Sequence, residues 1–507
     1  MKIMKGSLLA LLGLVLAASQ GFGAEYLVKY RNSRGLRSLK QEAMNGVGPK
    51  VLDQHKTGHY VVVDIAEDKL LPTLVKTAGS ADIEWVVPNF KLEAFGSPLD
   101  TFALRDQWAI TKIQAEKAWA RASNKGRKNV VIAVIDTGVD YRHKNLAPNM
   151  VPGYDFKGND NDPMDETGDK NPGHGTHCAG IAAGTGLIEE GIVGSGPGVS
   201  IMPIRFLGAD GSGDLNAAIK SIDYAIEKGV QVISASWGAA VPRSQAGPLI
   251  EAVDRADKKG IIFVAAAAND GANNDSRDVF PANAGTPNMI SVAASTSSDA
   301  KPSWSNYGKA TVHVASPGEK IISTLPGDKY GELSGTSMAT PLVSGVVAFL
   351  KAQDPSLTGA QIRALLQTTG SKVSIETACN CRIDEFAAVD ALLNKKAWMV
   401  PAAASIPVDG SLSVSVMNAK APIKFASSNT SVLTVDDSGN AKGVSAGTAQ
   451  VTATDANGLV VTSLDYNVLT ADQGGGQPGS CPFGDQMICD IMCKFLPQLP
   501  ICSGGAQ

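Results

Sequence analysis

Three short segments of this chain place reactive side chains among glycines. The apolar run Val130-Val131-Ile132-Ala133-Val134-Ile135 leads directly into Asp136-Thr137-Gly138. Gly173-His174-Gly175-Thr176-His177-Cys178-Ala179-Gly180 carries an imidazole, and Gly335-Thr336-Ser337-Met338-Ala339-Thr340-Pro341 carries a hydroxyl. A serine hydroxyl is a poor nucleophile at neutral pH and needs an adjacent base, and that base needs a carboxylate to fix its tautomer and stabilise the imidazolium. Asp136, His174 and Ser337 are of the types that fill those roles. Singly, each has a structural explanation: a turn or cap aspartate, a core histidine, an N-cap serine. Three such groups at element boundaries of one region point instead to nucleophilic catalysis.

The elements that must position them are legible in the apolar pattern. Val130 to Ile135, Val230 to Ile233, Ile261 to Ala266 and Met289 to Ala294 are near-continuous apolar runs, as expected of parallel strands buried on both faces. Helical segments lie between them, Asn216 to Lys228 and Leu249 to Lys258, so the region reads as a doubly wound, mostly parallel α/β domain. Asp136 then sits at the C-terminal end of a strand, the sheet edge where sites form in such folds. His174 and Ser337 each open a helix, with Pro341 placed in the first turn of the second one.

The rest of the 507 residues divides by composition. Lys2 and Lys5 precede the apolar run Leu8 to Ala18 and a stretch of small residues, the layout of a secretory signal peptide over 1–23. That run is too short to span a bilayer, so an exported, soluble protein is expected. Residues 24–97 mix strand-like and polar helical stretches in a small α+β unit without cysteine, and 98–398 hold the α/β domain. From 400 to 470 the texture is all-β, as in a small sandwich. Residues 471–507 are a Gly-rich linker and a tail with Cys481, Cys489, Cys493 and Cys502, read as two disulfides; the C-x2-C spacing of a zinc site is absent. Seven cysteines leave one over, and Cys178 is the expected free thiol because Cys379 and Cys381 lie close together. With 45 Lys+Arg against 49 Asp+Glu, the net charge of −4 provides no field for nucleic acid. Nothing indicates an oligomer, and a monomer is expected.

The chain order Asp, His, Ser differs from that of chymotrypsin-like enzymes and α/β-hydrolases, and Thr336 before Ser337 breaks the G-x-S-x-G elbow of the latter. Val134-Ile135-Asp136-Thr137-Gly138, His174-Gly175-Thr176-His177 and Gly335-Thr336-Ser337-Met338-Ala339-Thr340-Pro341 together resemble the subtilisin-like serine proteases, the subtilases. The resemblance implies a broad-specificity secreted endopeptidase with Asp136, His174 and Ser337 as triad, His177 a structural neighbour, and protein or peptide substrates. It implies Asn269, in Ala266-Ala267-Ala268-Asn269-Asp270-Gly271, as oxyanion donor beside the Ser337 N–H. The family usually has glycine where Ala268 stands, which implies a narrower side-chain pocket, and Asp270 at the pocket mouth would favour Lys or Arg. Ser236, Trp237 and Gly238 resemble the segment that pairs with substrate as a strand, and Gly211, Ser212 and Gly213 its facing edge. Residues 24–97 resemble an inhibitory propeptide, the chain's own intramolecular inhibitor, with Glu93-Ala94-Phe95 near the active site as first substrate; His55 and His59 are read from the residues alone as exposed. Residues 400–470 resemble group 2 bacterial Ig-like domains, which implies a bacterial source and contact with a cell surface or extracellular polymer.

No cofactor is required for this chemistry. Asp155, Asp160, Asp162, Asp165 and Glu166 crowd one loop, and hard oxygen clusters suit calcium; Asp160, Asp162 and Asp165 are the candidate ligands. The family's strong calcium site would use an aspartate where Asn145 stands. Two rivals remain. An aspartic protease needs a second Asp-Thr/Ser-Gly after an apolar run, and Asp437-Ser438-Gly439 follows Asp436 instead. An inactive surface adhesin built on the Ig-like region has to explain the intact Asp136, His174, Ser337 and Asn269.

Overall fold

A computed structural model describes residues 25–31, 36, 37, 39, 49–55, 59–65, 83–94, 107–187 and 191–470. The expected signal peptide and the cysteine-rich tail lie outside the described residues. Two compact units divide them: one holds the described residues up to Lys91 together with Asp214–Asn216, the other Leu92–Gly213 and the residues from Ala217 onward.

The first unit is built on an antiparallel sheet in the order Lys50–Gln54, Tyr60–Asp64, Glu25–Tyr30, Ile83–Pro88. β-Branched residues dominate one of its two central strands, Tyr60–Asp64. Val28, Tyr30, Val61, Val63 and Ile83 form its core with Leu36 and Leu39. His55, expected to be exposed, is buried here and its ring bonds the Asn216 side chain. His59 is exposed as expected.

The second unit contains a nine-stranded sheet in the order Ser371–Lys372, Cys381–Arg382, Val314–Pro317, Met289–Ser295, Ile262–Ala266, Val232–Ala235, Val131–Asp136, Ser200–Arg205, Tyr154–Asp155. All neighbours are parallel except the first pair. The four strands expected from apolar runs are present, shifted by one or two residues at their ends. Each is buried along nearly its whole length, because both faces are covered. The expected helices are found at Leu215–Glu227 and Gly247–Asp257. The helices that begin at His174 and Thr336, His174–Ala183 and Thr336–Gln353, pack on each other and on the sheet. Their Gly/Ala/Ser-rich sequences allow that close approach. Cys379 and Cys381 are disulfide-bonded, and Cys178 is a buried free thiol, as expected.

Residues from Trp398 onward form short paired strands around Met399, Val414, Leu433, Val451, Tyr466 and Val468. Near the end of the described residues lie two strands, Val460–Thr462 and Tyr466–Leu469. No helix of the described residues is long and apolar enough to cross a membrane.

Candidate active site

Asp136 ends its strand almost completely buried, at 1% exposure. Its Oδ1 accepts the Thr137 N–H at 2.7 Å and meets His174 Nδ1 at 2.7 Å. With Asp136 ionised, the ring proton sits on Nδ1 and Nε2 is the free base. That Nε2 is buried with no hydrogen-bond partner. Burial opposes charge on His174, but the Asp136 carboxylate outweighs it and holds the imidazole well above the ordinary histidine pKa.

A second carboxylate ties the aspartate and histidine segments together. Asp165 Oδ1 accepts from Thr137 Oγ1 at 2.8 Å and Asn171 Nδ2 at 3.0 Å, and its Oδ2 from Thr176 N and Oγ1 at 2.9 and 2.6 Å. Thr137 Oγ1 in turn accepts the Gly175 N–H, and Asn171 Oδ1 accepts the N–H groups of Gly173 and His174. The start of the His174 helix is thereby capped and locked to the strand that carries Asp136. Gly175 has to be glycine: a Cβ there would lie 2.1 Å from Gly138 O. His177 is no competing base. Burial lowers its pKa to about 3, and its Nε2 is committed to Gly331 O.

The Ser337 hydroxyl donates to Ser236 O at 2.9 Å, and the Ser236 hydroxyl donates back to Ser337 O at 2.9 Å. Pro341 explains why Ser337 O is available. It lies in the second turn of its helix, not the first as the sequence suggested, and lacks the N–H that would bond the carbonyl four residues back. Cys178 Sγ also reaches Ser337 O, at 3.4 Å, and lies 3.9 Å from His174 Nδ1, so one thiol touches both the serine and histidine residues. Burial pushes this thiol's pKa up, which keeps it neutral. Mercurials should therefore inactivate the protein slowly, faster at high pH, by displacing His174; Cys178→Ala should resist them. Equal sensitivity of parent and variant, followed by residual activity, would contradict this.

Asn269 Oδ1 accepts both the N–H and the hydroxyl of Thr336 at 2.9 Å. The amide oxygen is thus committed, and Nδ2 is the end left to donate. Before it, Ala268 holds φ 88°, a left-handed value that costs a non-glycine residue about 1–2 kcal/mol, and it is buried at 1% exposure. Asp270 is exposed and faces Arg277 at 3.7 Å, so the carboxylate expected to recruit Lys or Arg already has a cation beside it.

The Trp237 side chain is fully buried, its Nε1 donating to Ile135 O at 2.7 Å and its ring 4.8 Å from that of Phe206. What it offers a ligand is main chain. Trp237–Gly238 and Ser212–Asp214 flank a strand formed by Lys91–Ala94, in which Ala94 pairs with Trp237 and Glu93 with Gly238. Ala94 N–H donates to Gly211 O at 3.1 Å. The Ser212 hydroxyl turns to Asp210, and Gly213 leaves no room for a Cβ, which would meet Phe206 O at 2.6 Å. Both edges of the groove are therefore backbone.

Asp160, Asp162 and Asp165 do not converge on one point in this structure. Asp165 is buried with both oxygens bonded to protein donors, Asp162 Oδ1 accepts the Tyr141 hydroxyl, and Asp160 Oδ1 accepts the Asp162 N–H. Burial raises the Asp165 pKa, against the lowering effect of its bonds from Thr176, Asn171 and Thr137. Among the described residues the ligand atoms that converge are those of Asp136, His174 and Cys178. Asn145 bonds both main-chain groups of Ile192 through its amide. The sequence reading missed Thr137, Asn171, Thr176 and Thr336 as the groups that hold the site. Their signal was modest: a threonine inside each motif and an asparagine three residues before His174.

Comparison with known proteins agrees with this geometry. Residues 127–388 match the model of the subtilase family, and residues 399–463 that of the bacterial Ig-like domain (group 2). The chain is 42% identical over 278 residues to thermitase of Thermoactinomyces vulgaris, covering 55% of this chain and 93% of that one. The chain belongs to the subtilase family. This subtilase is also 39% identical over 292 residues to a thermophilic serine proteinase of Bacillus sp. (strain AK1), across 58% of its own length and 68% of the relative. With the major intracellular serine protease of Bacillus subtilis (strain 168) it shares 38% identity over 246 residues, 48% and 75% of the two chains. It is a serine endopeptidase of this family, with an Ig-like domain after the catalytic region.

Proposed function

We propose that Ser337 is the nucleophile, His174 its base and Asp136 the group that orients and stabilises the imidazole. The observation that carries this is the 2.7 Å contact between Asp136 and His174 Nδ1, with Nε2 left buried and unpartnered. Ser337 Oγ turns from Ser236 O to His174 Nε2, passes its proton there and attacks the peptide carbonyl. Asn269 Nδ2 and the Ser337 N–H receive the negative charge on that oxygen. The imidazolium gives its proton to the departing amine, and water, activated by the same nitrogen, hydrolyses the acyl-serine. Asp136 remains ionised throughout. Substrates bind as a strand between Trp237–Gly238 and Gly211–Gly213, and main-chain pairing supports broad specificity.

The domain reading goes with this function. A signal peptide over 1–23 directs export, 24–97 is an inhibitory propeptide, 98–398 the catalytic domain, and 400–470 an Ig-like domain contacting a surface or polymer. The mature enzyme works as a monomer. An adhesin on an inactive protease fold is disfavoured by the presence together of Asp136, His174, Ser337 and Asn269, with Asp136 bonded to His174.

Hydrolysis of internal peptide bonds by the processed chain and its Asn269→Ala variant tests the proposal. The variant should lose about 10²–10³-fold in kcat with KM little changed, because the donor meets charge that develops in the transition state. An unchanged kcat would remove Asn269 from the mechanism, and an inactive parent chain would favour the adhesin.

A further inference from the structure

A hairpin precedes the nucleophile, Ile321–Leu325 against Lys329–Leu333, and in it Ser323 stands opposite Gly331. His177 grips both strands at that rung. Its Nε2–H donates to Gly331 O at 3.0 Å, and its own carbonyl accepts the Ser323 hydroxyl at 2.7 Å. The Thr324 hydroxyl adds a bond to Thr176 O at 2.8 Å. One turn further along the helix, Gly180 lets the strand approach, since a Cβ there would run into the Ser323 and Thr324 hydroxyls. The open end of the hairpin is closed by Lys320 N–H on Ser334 Oγ and Gly335 N–H on Gly318 O, both at 2.8 Å. Thr336 and Ser337 follow at once.

We infer that His177 is a positioning residue: it fastens the hairpin that leads into Ser337 to the helix that carries His174, and so sets the reach from the serine hydroxyl to His174 Nε2. The inference rests on the roles assigned to His174 and Ser337 above. His174 opens the helix His174–Ala183 and His177 lies one turn along it, so a rigid turn joins the base to the fastening. From Gly331 the chain runs through Gly335, pinned to Gly318 O, to the nucleophile. Slack between helix and hairpin therefore becomes slack between His174 and Ser337. The Ser337 hydroxyl rests on Ser236 O and has to turn to the imidazole in each turnover, a step that tolerates little misplacement. His177 itself takes no proton: burial lowers its pKa to about 3, which leaves it a neutral, fixed donor.

The test compares kcat and KM of processed His177→Leu, His177→Gln and Ser323→Ala with those of the parent on one peptide anilide, per folded molecule. Leucine keeps apolar bulk and removes the donor. Its kcat should fall about 10–100-fold, with KM within about threefold, because positioning fails while binding does not. The acid limb of its pH profile should stay where the parent has it, since a neutral group has been lost. Glutamine, which returns an N–H without the ring, should recover most of the lost kcat. A role in packing alone predicts the reverse order, so a glutamine variant no better than leucine would overturn the inference. A leucine variant with parental kcat, or with a displaced acid limb, would do the same. Ser323→Ala should lower kcat in the same manner, and combined with His177→Leu it should cost less than the product of the two losses, because both act at one rung; fully independent losses would contradict the shared grip. Should the leucine variant fail to fold, Ser323→Ala decides, and parental kcat there would overturn the inference. Ser337→Ala separates the two levels. If it is inactive while His177→Leu keeps full activity, only the positioning role is wrong; if hydrolysis survives in Ser337→Ala, the protease reading falls with it.

Discussion

Ser337→Ala should lower kcat by about 10⁶-fold, the scale of losses when a triad nucleophile is removed. The residual rate should still exceed that in water, because Asn269 and the groove edges at Trp237–Gly238 and Gly211–Gly213 remain. The folded structure should be nearly unaffected: Ser337 Oγ makes one bond, to Ser236 O, and the reciprocal Ser236 bond to Ser337 O survives. Circular dichroism and melting temperature close to those of the parent, together with loss of peptide hydrolysis, are the expected pair of results. A variant retaining a tenth of the parent rate would exclude Ser337 as nucleophile.

Asp136→Asn should cost about 10⁴-fold in kcat while leaving KM within a few-fold, since an amide oxygen and nitrogen at that place no longer hold the Nδ1–H tautomer or stabilise the imidazolium. It should also move the pH profile. The Asp136 carboxylate overcomes burial to hold His174 well above its ordinary pKa, so the parent's kcat/KM should decline as pH falls from the alkaline side through that raised value. Without the carboxylate, burial, the largest influence on His174, is opposed mainly by Cys178, and the acid limb should move to lower pH. Sign and size together distinguish this from simple misfolding, which lowers activity at every pH. An acid limb that stays in place, measured on variant enzyme processed in trans, would mean that another group controls the base.

The residues proposed to do the chemistry were legible because their types are constrained at fixed spacing, and the sheet was legible because strands buried on both faces are apolar without interruption. Four features were hidden for physical reasons. Asp165 reads as one more member of an acidic surface loop, since sequence cannot tell a solvated carboxylate from one that accepts four protein hydrogen bonds. Pro341 was placed one turn too early, and with that error its effect on Ser337 O was invisible. Asp270 offered an unopposed negative charge on paper, whereas the chain folds Arg277 beside it. His55 also misled, because a polar residue in a strand-rich segment gives no sign of whether its partner, Asn216, comes from 161 residues away.

The central claim is that His174, held by Asp136, activates Ser337. It is tested most directly by treating the mature protein with a fluorophosphonate and locating the adduct by peptide mass spectrometry. One phosphonyl group on Ser337, formed in step with loss of hydrolysis and absent from His174→Ala, is the predicted result. An adduct on any other serine, or labelling of Ser337 that proceeds as fast without His174, would contradict the account.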